Sequence, residues 1–220
     1  MNEVATEPGI SLLYEDDDLL VLNKPAGLLS VPGRGPDKQD CLSARAQTRF
    51  ADALVVHRLD MATSGILLMA RGIAMQRALS AAFAQRKVDK RYVADVASLL
   101  APGAPEAPWQ LIDLPIAPDW PRRPLRIVHP EGQPSQTLWR CISQDLQRQT
   151  SRLELQPLTG RSHQLRLHLQ ALGHPILGDA LYAPAPVQAM AARLHLHARD
   201  LTLAHPRTGQ SLQWHCPAPF

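Results

Sequence analysis

The feature that most constrains this 220-residue chain is a short, uninterrupted apolar run, Ile66-Leu67-Leu68-Met69-Ala70. The run falls far short of the roughly 20 residues that a helix needs to span a bilayer. Its length instead matches a strand, and an unbroken apolar pattern is typical of a strand buried in the interior. Residues 64–70 are therefore predicted to form a buried strand of a sheet.

The rest of the chain alternates short strand-like segments with three longer helical ones, in no regular strand–helix–strand order. This pattern predicts an α+β domain with a mixed, mainly antiparallel sheet and flanking helices and loops. The third helix is predicted to begin at Ser162, a good N-cap residue, and to be closed by Gly173. The predicted strands are 12–14, 19–22, 64–70, 92–96, 136–142, 153–155, 194–203 and 212–214, and the predicted helices are 42–51, 73–86 and 162–172.

A chain of this length is expected to form one domain, or one domain with a small appendage. Residues 1–10 are interpreted as a flexible leader and residues 11–220 as the folded domain. The segment 101–134 is rich in proline, so it is expected to follow the surface with only short strands. It is the expected site of an insertion or of an arm that faces a partner.

The charged residues suggest a polyanionic partner. Of the 23 basic residues, 19 are arginine, whose rigid planar fork suits phosphates and base edges. They cluster at 86–91 and 122–126, whereas acidic residues concentrate near the N-terminus, and this separation is typical of nucleic-acid binding. The cysteines Cys41, Cys141 and Cys216 are odd in number and widely spaced, and no signal peptide is evident. A soluble, cytoplasmic protein with reduced thiols is expected.

Two polar clusters are candidates for chemistry. His57-Arg58-Leu59-Asp60 lies on a polar loop before the apolar strand, where folds commonly place reactive groups. Taken alone, an arginine two residues before an aspartate is more commonly a surface pair. The second cluster spans residues 159–168, and its Arg161 lies at a helix start, where the dipole disfavours a cation. A buried anionic partner would explain Arg161.

With a basic segment between them, these clusters resemble the motifs of the RluA family of pseudouridine synthases, in the family's order and over nearly the whole chain. The resemblance implies the pseudouridine synthase catalytic fold and action on loop uridines in structured RNA, such as ribosomal RNA and tRNA stem-loops. The matching runs are Asn23-Lys24-Pro25-Ala26-Gly27, His57-Arg58-Leu59-Asp60 with Thr63-Ser64-Gly65, Lys90-Arg91-Tyr92, Leu114-Pro115-Ile116 with Asp119-Trp120-Pro121, the run from Gly160 to His168, and the run from Gly173 to Asp179.

The resemblance also implies roles for individual residues. Asp60 would be the catalytic carboxylate, acting either as nucleophile or as base on the 2′-hydroxyl. Arg161 would pair with Asp60 and keep it ionised, and Tyr92 would pack against the target base. Arg58 would fill the gap left by the extruded uridine. Further RNA contacts are expected from His57, Lys90, His163 and Arg166.

No metal or organic cofactor is implied, and a monomer is expected. An RNA-binding module of the S4 type, common in relatives, has no room before the first predicted strand. The pair His195 and His197, with His205, lacks an acid or cysteine at ligand spacing and is a weak metal candidate. Lys24 is interpreted as structural or as a phosphate contact. The alternative from another functional class is a non-catalytic RNA-binding protein on the same scaffold.

Overall fold

The computed structural model describes residues 6, 7, 9–102 and 108–220. Among these residues, no helix is long and apolar enough to cross a bilayer. The helices are α1 (Leu42–Arg49), α2 (Gly72–Ala84), α3 (Gln164–Ala171) and α4 (Ala185–Gln188). The strands are β1 (Thr6–Glu7), β2 (Ile10–Glu15), β3 (Leu19–Lys24), β4 (Ala53–Val55), β5 (Ser64–Arg71), β6 (Asp89–Val96), β7 (Gln110–Asp113), β8 (Ile116–Pro118), β9 (Arg126–Val128), β10 (Gln136–Asp145), β11 (Thr150–Pro157), β12 (Leu196–Ala204) and β13 (Ser211–His215).

The chain forms two compact units. The first contains the chain up to Lys90 together with Ala198–Pro219, and the second contains Arg91–His197 together with Phe220. The chain therefore leaves the first unit inside β6 and returns to it inside β12. Each unit has its own set of paired strands.

The first unit is organised around β5. Antiparallel pairing joins β1 to β2, β2 to β3 and β3 to β5, while β4 adds to β5 and β13 pairs with β12. Every residue of β5 from Ser64 to Ala70 is buried, as predicted for an apolar strand. Helix α2 contributes the buried side chains of Met75 and Leu79 to the same core.

The second unit is an antiparallel sheet in the order β6, β11, β10, β7. A buried polar network lies beside α3. Both ring nitrogens of His168 have partners in this network. Nδ1 lies 2.9 Å from Thr137 Oγ1, and Nε2 lies 3.0 Å from the Leu114 carbonyl oxygen. Gln164 donates to Thr137 Oγ1 at 3.0 Å, so the hydroxyl group is left to donate to His168 Nδ1. Burial lowers the pKa of His168, which keeps its ring neutral within this network.

The predicted α+β class is confirmed, and each predicted strand and helix corresponds to an observed one. Within the segment interpreted as a flexible leader, Thr6–Glu7 forms β1, paired with β2, while residues 1–5 and 8 lie outside the described residues. One prediction at an element end was wrong. Helix α3 begins after His163 rather than at Ser162, because His163 is in the left-handed conformation, with φ +58°, and cannot be part of a right-handed helix.

Gly65, directly after the candidate catalytic loop, is required by backbone geometry. Its φ is +110°, and a Cβ added there would lie 2.2 Å from the Ala198 carbonyl oxygen of β12. A side chain at this position would meet both a disfavoured conformation and rigid backbone. The glycine therefore lets β5 start its pairing immediately after the loop.

We expect Gly65→Ala to lower the free energy of unfolding by about 3 kcal/mol or more, because strain at φ and a backbone clash combine. Gly27→Ala is the matched control, since its φ is +84° but no atom lies within 4 Å of the added Cβ. The control should lose only about 1 kcal/mol. Urea unfolding followed by circular dichroism measures both, and equal losses would contradict the clash.

Candidate active site

Asp60 lies on the loop between β4 and β5. Its backbone carbonyl accepts from the Thr63 N–H at 3.1 Å, which closes a tight turn leading into β5. The residue is half-buried, and Leu59 before it is buried while Met61 after it is exposed. The turn thus places an ionisable group at the boundary between core and solvent, where a ligand can reach it.

The backbone next to Asp60 is held by a buried ammonium group. Lys24 is fully buried, and its Nζ donates to the carbonyl oxygens of Pro25 at 2.8 Å, Leu28 at 2.7 Å and Met61 at 3.0 Å. An ammonium group has three N–H donors, and three carbonyl dipoles satisfy them. Burying a charge is costly unless it is fully hydrogen-bonded, so this arrangement needs all three carbonyls in place. The full burial of Lys24 favours a structural role over a phosphate contact.

Residues 27–30 secure the same loop at two more points. Ser30 Oγ donates to the Leu59 carbonyl at 2.7 Å and accepts from the Leu59 N–H at 3.1 Å. The Gly27 N–H donates to the Met61 carbonyl at 2.9 Å. Both chain neighbours of Asp60 are therefore fixed by hydrogen bonds, so the backbone that carries the carboxylate is preorganised.

His57 supports the loop from its other end. Its Nε2 accepts from the Leu68 N–H of β5 at 2.9 Å, and its ring stacks on Phe83 with centroids 4.6 Å apart. Burial, with the Lys90 ammonium nearby, lowers the pKa of His57 to about 3. The imidazole is therefore neutral at physiological pH, and its contacts connect the loop to β5 and α2.

Arg58 and Lys90 differ in how available they are. Arg58 is exposed, and among the described residues nothing holds its guanidinium group by a hydrogen bond or ion pair. This freedom suits a side chain expected to enter RNA. Lys90 is half-buried, and burial lowers its pKa.

The second unit holds the remaining expected catalytic residues. Tyr92 is half-buried on β6, where it lies opposite Leu155 of β11. Arg161 is exposed, and its Nε donates to the Pro134 carbonyl oxygen at 3.4 Å. Helix α3 starts three residues later, so Arg161 lies on the preceding turn.

Arg166 lies in a buried ion pair. Its side chain is only 4% exposed, and its Nε and Nη2 donate to the two carboxylate oxygens of Asp179 at 2.8 and 2.6 Å. A bidentate, buried pair of this kind is structural. The RNA contact expected of Arg166 stays a prediction, and the structure shows the side chain enclosed with Asp179. His163 is half-buried, with Nδ1 2.7 Å from the Tyr182 hydroxyl group.

One group of potential metal ligands, Asp16, Asp18 and His205, occurs among the described residues. His205 Nδ1 accepts from the backbone N–H groups of Arg207 at 3.1 Å and Thr208 at 3.2 Å. The ring proton must therefore be on Nε2, which lies 3.6 Å from Asp16 Oδ2 and 3.5 Å from Asp18 Oδ2. A metal would need that nitrogen's lone pair, so the geometry fits an imidazole N–H beside two carboxylates better than a set of metal ligands.

Comparison with known proteins agrees with this arrangement. Residues 18–171 match the family model described as RNA pseudouridylate synthase. The chain is 46% identical over 215 residues to the dual-specificity RNA pseudouridine synthase RluA of Escherichia coli K12, covering 97% of this chain and 95% of that protein. It is 46% identical over 210 residues to the protein of the same name from Yersinia pestis, covering 95% and 99% of the two chains.

Two solved human structures are similar in fold. RNA Pseudouridylate Synthase Domain Containing 1 aligns with a TM-score of 0.77 and 28% identity, covering 98% of this chain and 87% of its own. RNA Pseudouridylate Synthase Domain Containing 4 aligns with a TM-score of 0.74 and 26% identity, covering 94% and 88%. The chain belongs to the RluA family of RNA pseudouridine synthases. It is accordingly an isomerase that modifies RNA.

The sequence motifs did not distinguish residues that face solvent from residues that support them. Asp60 and Arg58 lie at the surface of the loop, whereas Lys24 and Arg166, from motifs of equal prominence, are interior. Ser30 was not singled out, although it holds Leu59 from both sides. Its only sequence signal is its place a few residues after the Asn-Lys-Pro turn.

We expect Lys24→Met to reduce the free energy of unfolding by about 3 kcal/mol or more, because three carbonyl groups lose a charged donor in the interior. Lys38→Met is the matched control, since Lys38 is exposed, and it should change stability by less than about 0.5 kcal/mol. Thermal and urea unfolding measure both variants. A Lys24 variant as stable as the control would show that the loop does not depend on the ammonium group.

Proposed function

We propose that this enzyme isomerises loop uridines of 23S ribosomal RNA and of tRNA anticodon stem-loops, with Asp60 as its catalytic carboxylate. The observation that most supports Asp60 is the fixation of its chain neighbours by Lys24, Gly27 and Ser30. The substrate pair is supported by relatives named dual-specificity RNA pseudouridine synthases, which align over nearly their full length. No observation favours the non-catalytic alternative.

The reaction explains why a fixed carboxylate is useful. The N1–C1′ bond of uridine breaks, the base turns, and a C5–C1′ bond forms before the C5 proton leaves. Asp60 can attack the sugar or base as a nucleophile, or remove the 2′-hydroxyl proton. In either case the carboxylate must be ionised and correctly oriented. A rigid backbone orients it in advance, so no entropy is lost in ordering it during the reaction.

Tyr92 and Arg161 complete the proposed catalytic set. Tyr92 is proposed to pack against the target base and to accept its C5 proton. Arg161 is proposed to supply the positive charge that keeps Asp60 ionised, and its exposed guanidinium group is available for that role. The two residues belong to the second unit, and the pairing of Arg161 with Asp60 stays a prediction.

RNA binding is assigned to the accessible members of the expected set. Arg58 is proposed to occupy the space of the extruded uridine, since its side chain is exposed and unrestrained among the described residues. Lys90 and His163 are proposed to contact the RNA backbone, while His57 supports the loop. The family match runs through both compact units, which supports treating residues 11–220 as one catalytic domain. We propose that this domain acts as a monomer, in the cytoplasm, without a cofactor.

Asp60→Asn should reduce tritium release from 5-tritiated uridine in an anticodon stem-loop by at least about 1,000-fold, because the amide can neither attack nor take a proton. RNA affinity should stay within about twofold of wild type, since the two side chains have the same size. Asp17→Asn, at an exposed position away from the loop, is the control and should react normally. Turnover by Asp60→Asn at the control rate would remove Asp60 from the mechanism.

Arg161→Ala should lower the single-turnover rate by about 100-fold, because it removes a charge that acts on the carboxylate. Its melting temperature should stay within about 2 °C of wild type, since the side chain is exposed. Arg148→Ala, equally exposed on another turn, is the control for both measurements. Full activity of Arg161→Ala would disprove the proposed charge partner, and a large loss of stability would show that the side chain is structural.

A further inference from the structure

A small two-stranded sheet in the second unit forms what we call the arm, residues 116–128. Strands β8 and β9 pair antiparallel, with Ile116 opposite Val128 and Pro118 opposite Arg126. The base of the arm is fixed to the following chain, because Ile116 and Gln133 exchange both backbone hydrogen bonds, at 3.0 and 2.8 Å. Gly132 permits this approach, since a Cβ there would lie 2.6 Å from the Ile116 carbonyl carbon.

The tip of the arm, residues 119–125, is ordered by its own hydrogen bonds. Asp119 is buried, and its Oδ1 accepts from the Arg122 N–H at 3.3 Å while its Oδ2 accepts from Arg122 Nε at 2.7 Å. Its backbone N–H donates to the Leu125 carbonyl at 3.1 Å, which closes the loop. The tip is therefore preorganised, so a ligand that binds there meets little ordering cost.

This ordered tip presents Trp120 to solvent. The residue is 66% exposed, making it the most exposed of the large hydrophobic residues that the structure describes. The guanidinium carbon of Arg123 lies 3.7 Å from the ring centroid, so one face of the indole is covered by a cation. With that much of the residue exposed, the opposite face is open to a planar partner.

The surroundings of Trp120 are basic. The Arg122 side chain is 70% exposed although it pairs with Asp119, so its outer N–H donors are still available. Arg123 is also exposed, and the negative charge of Asp119 lies beneath them. An exposed aromatic ring flanked by guanidinium groups is the arrangement that proteins use to stack nucleobases and hold the adjoining phosphates.

The arm is also joined to a segment with a proposed RNA contact. The Arg126 N–H donates to the Tyr182 hydroxyl oxygen at 2.9 Å, and that hydroxyl lies 2.7 Å from His163 Nδ1. Because the hydroxyl accepts from Arg126, it can donate to His163. The chain of contacts runs within the second unit from the base of the arm to the turn before α3.

We propose that Trp120 is a stacking platform for an unpaired nucleotide of the substrate RNA, with Arg122 and Arg123 on its phosphates. The site rests on the proposed function, because it deepens how the enzyme selects its RNA. The flanking cations and the solvent-facing ring favour RNA over a protein partner, whose apolar contact would not require two guanidinium groups at its edge.

The test measures affinity in the Asp60→Asn background, so that turnover does not intervene. We expect Trp120→Ala to raise the Kd for a fluorescein-labelled anticodon stem-loop about tenfold, as loss of one base stack does. Trp120→Phe should retain most of the affinity, because a smaller ring still stacks. Leu146→Ala is the control, since Leu146 is 61% exposed on the β10–β11 turn and should bind normally.

A second probe identifies the partner. Binding to a fully paired RNA duplex of equal length should not distinguish Trp120→Ala from the control, because a duplex offers no unpaired base. An equal Kd for Trp120→Ala and Leu146→Ala on the stem-loop would overturn the proposal, and so would an equal loss on stem-loop and duplex. Failure of wild-type enzyme to release tritium would instead contradict the proposed function, and the two results are therefore distinguishable.

Discussion

The candidate site of the first unit depends on the hydrogen bonds that the buried Lys24 ammonium group makes. A buried ammonium group tolerates its loss of hydration only where carbonyl oxygens replace water, and here the three oxygens come from two separate loops. Two of the oxygens belong to Pro25 and Leu28, and the third belongs to Met61, directly after Asp60. The buried charge is stable only with all three, so it holds the two loops together. The position of the Asp60 carboxylate is a consequence of that electrostatic requirement.

A similar division of labour holds in the second unit. Arg166 is enclosed with Asp179, and Asp179 Oδ1 also accepts from the backbone N–H groups of Leu181 and Tyr182. This ion pair therefore orders the turn that carries Tyr182, which in turn contacts His163. Charged residues in the motifs thus act at two levels. Some are accessible and can meet RNA, and others are enclosed and determine where the accessible ones lie.

The sequence predicted the elements better than the side-chain environments. An unbroken apolar run is decided by the hydrophobic effect alone, so β5 could be identified with its bounds nearly correct. The first residue of α3 could not, because it follows from the left-handed backbone at His163, a conformation that the residue type alone does not predict. Arg161 and Arg166 have the same charge and neighbouring positions. Arg161 is exposed on the turn before α3, whereas Arg166 is buried against Asp179, and the sequence pattern does not show which of the two meets solvent.

The low aromatic content, 5% of residues, suggested that RNA contacts would rely on charge. Trp120 is an exception to that expectation. A ring that is already fixed in place contributes more to binding, because little entropy is lost when a base stacks on it. Extruding a uridine costs a few kcal/mol of lost stacking and pairing. A base stacked on Trp120 gains about 1–3 kcal/mol, so a single platform could offset much of that cost. Charge alone attracts any RNA, whereas a fixed ring stabilises only the complex with an RNA whose loop has an unpaired base. Selection of loops over duplex then follows from the shape of the arm as well as from the chemistry at Asp60.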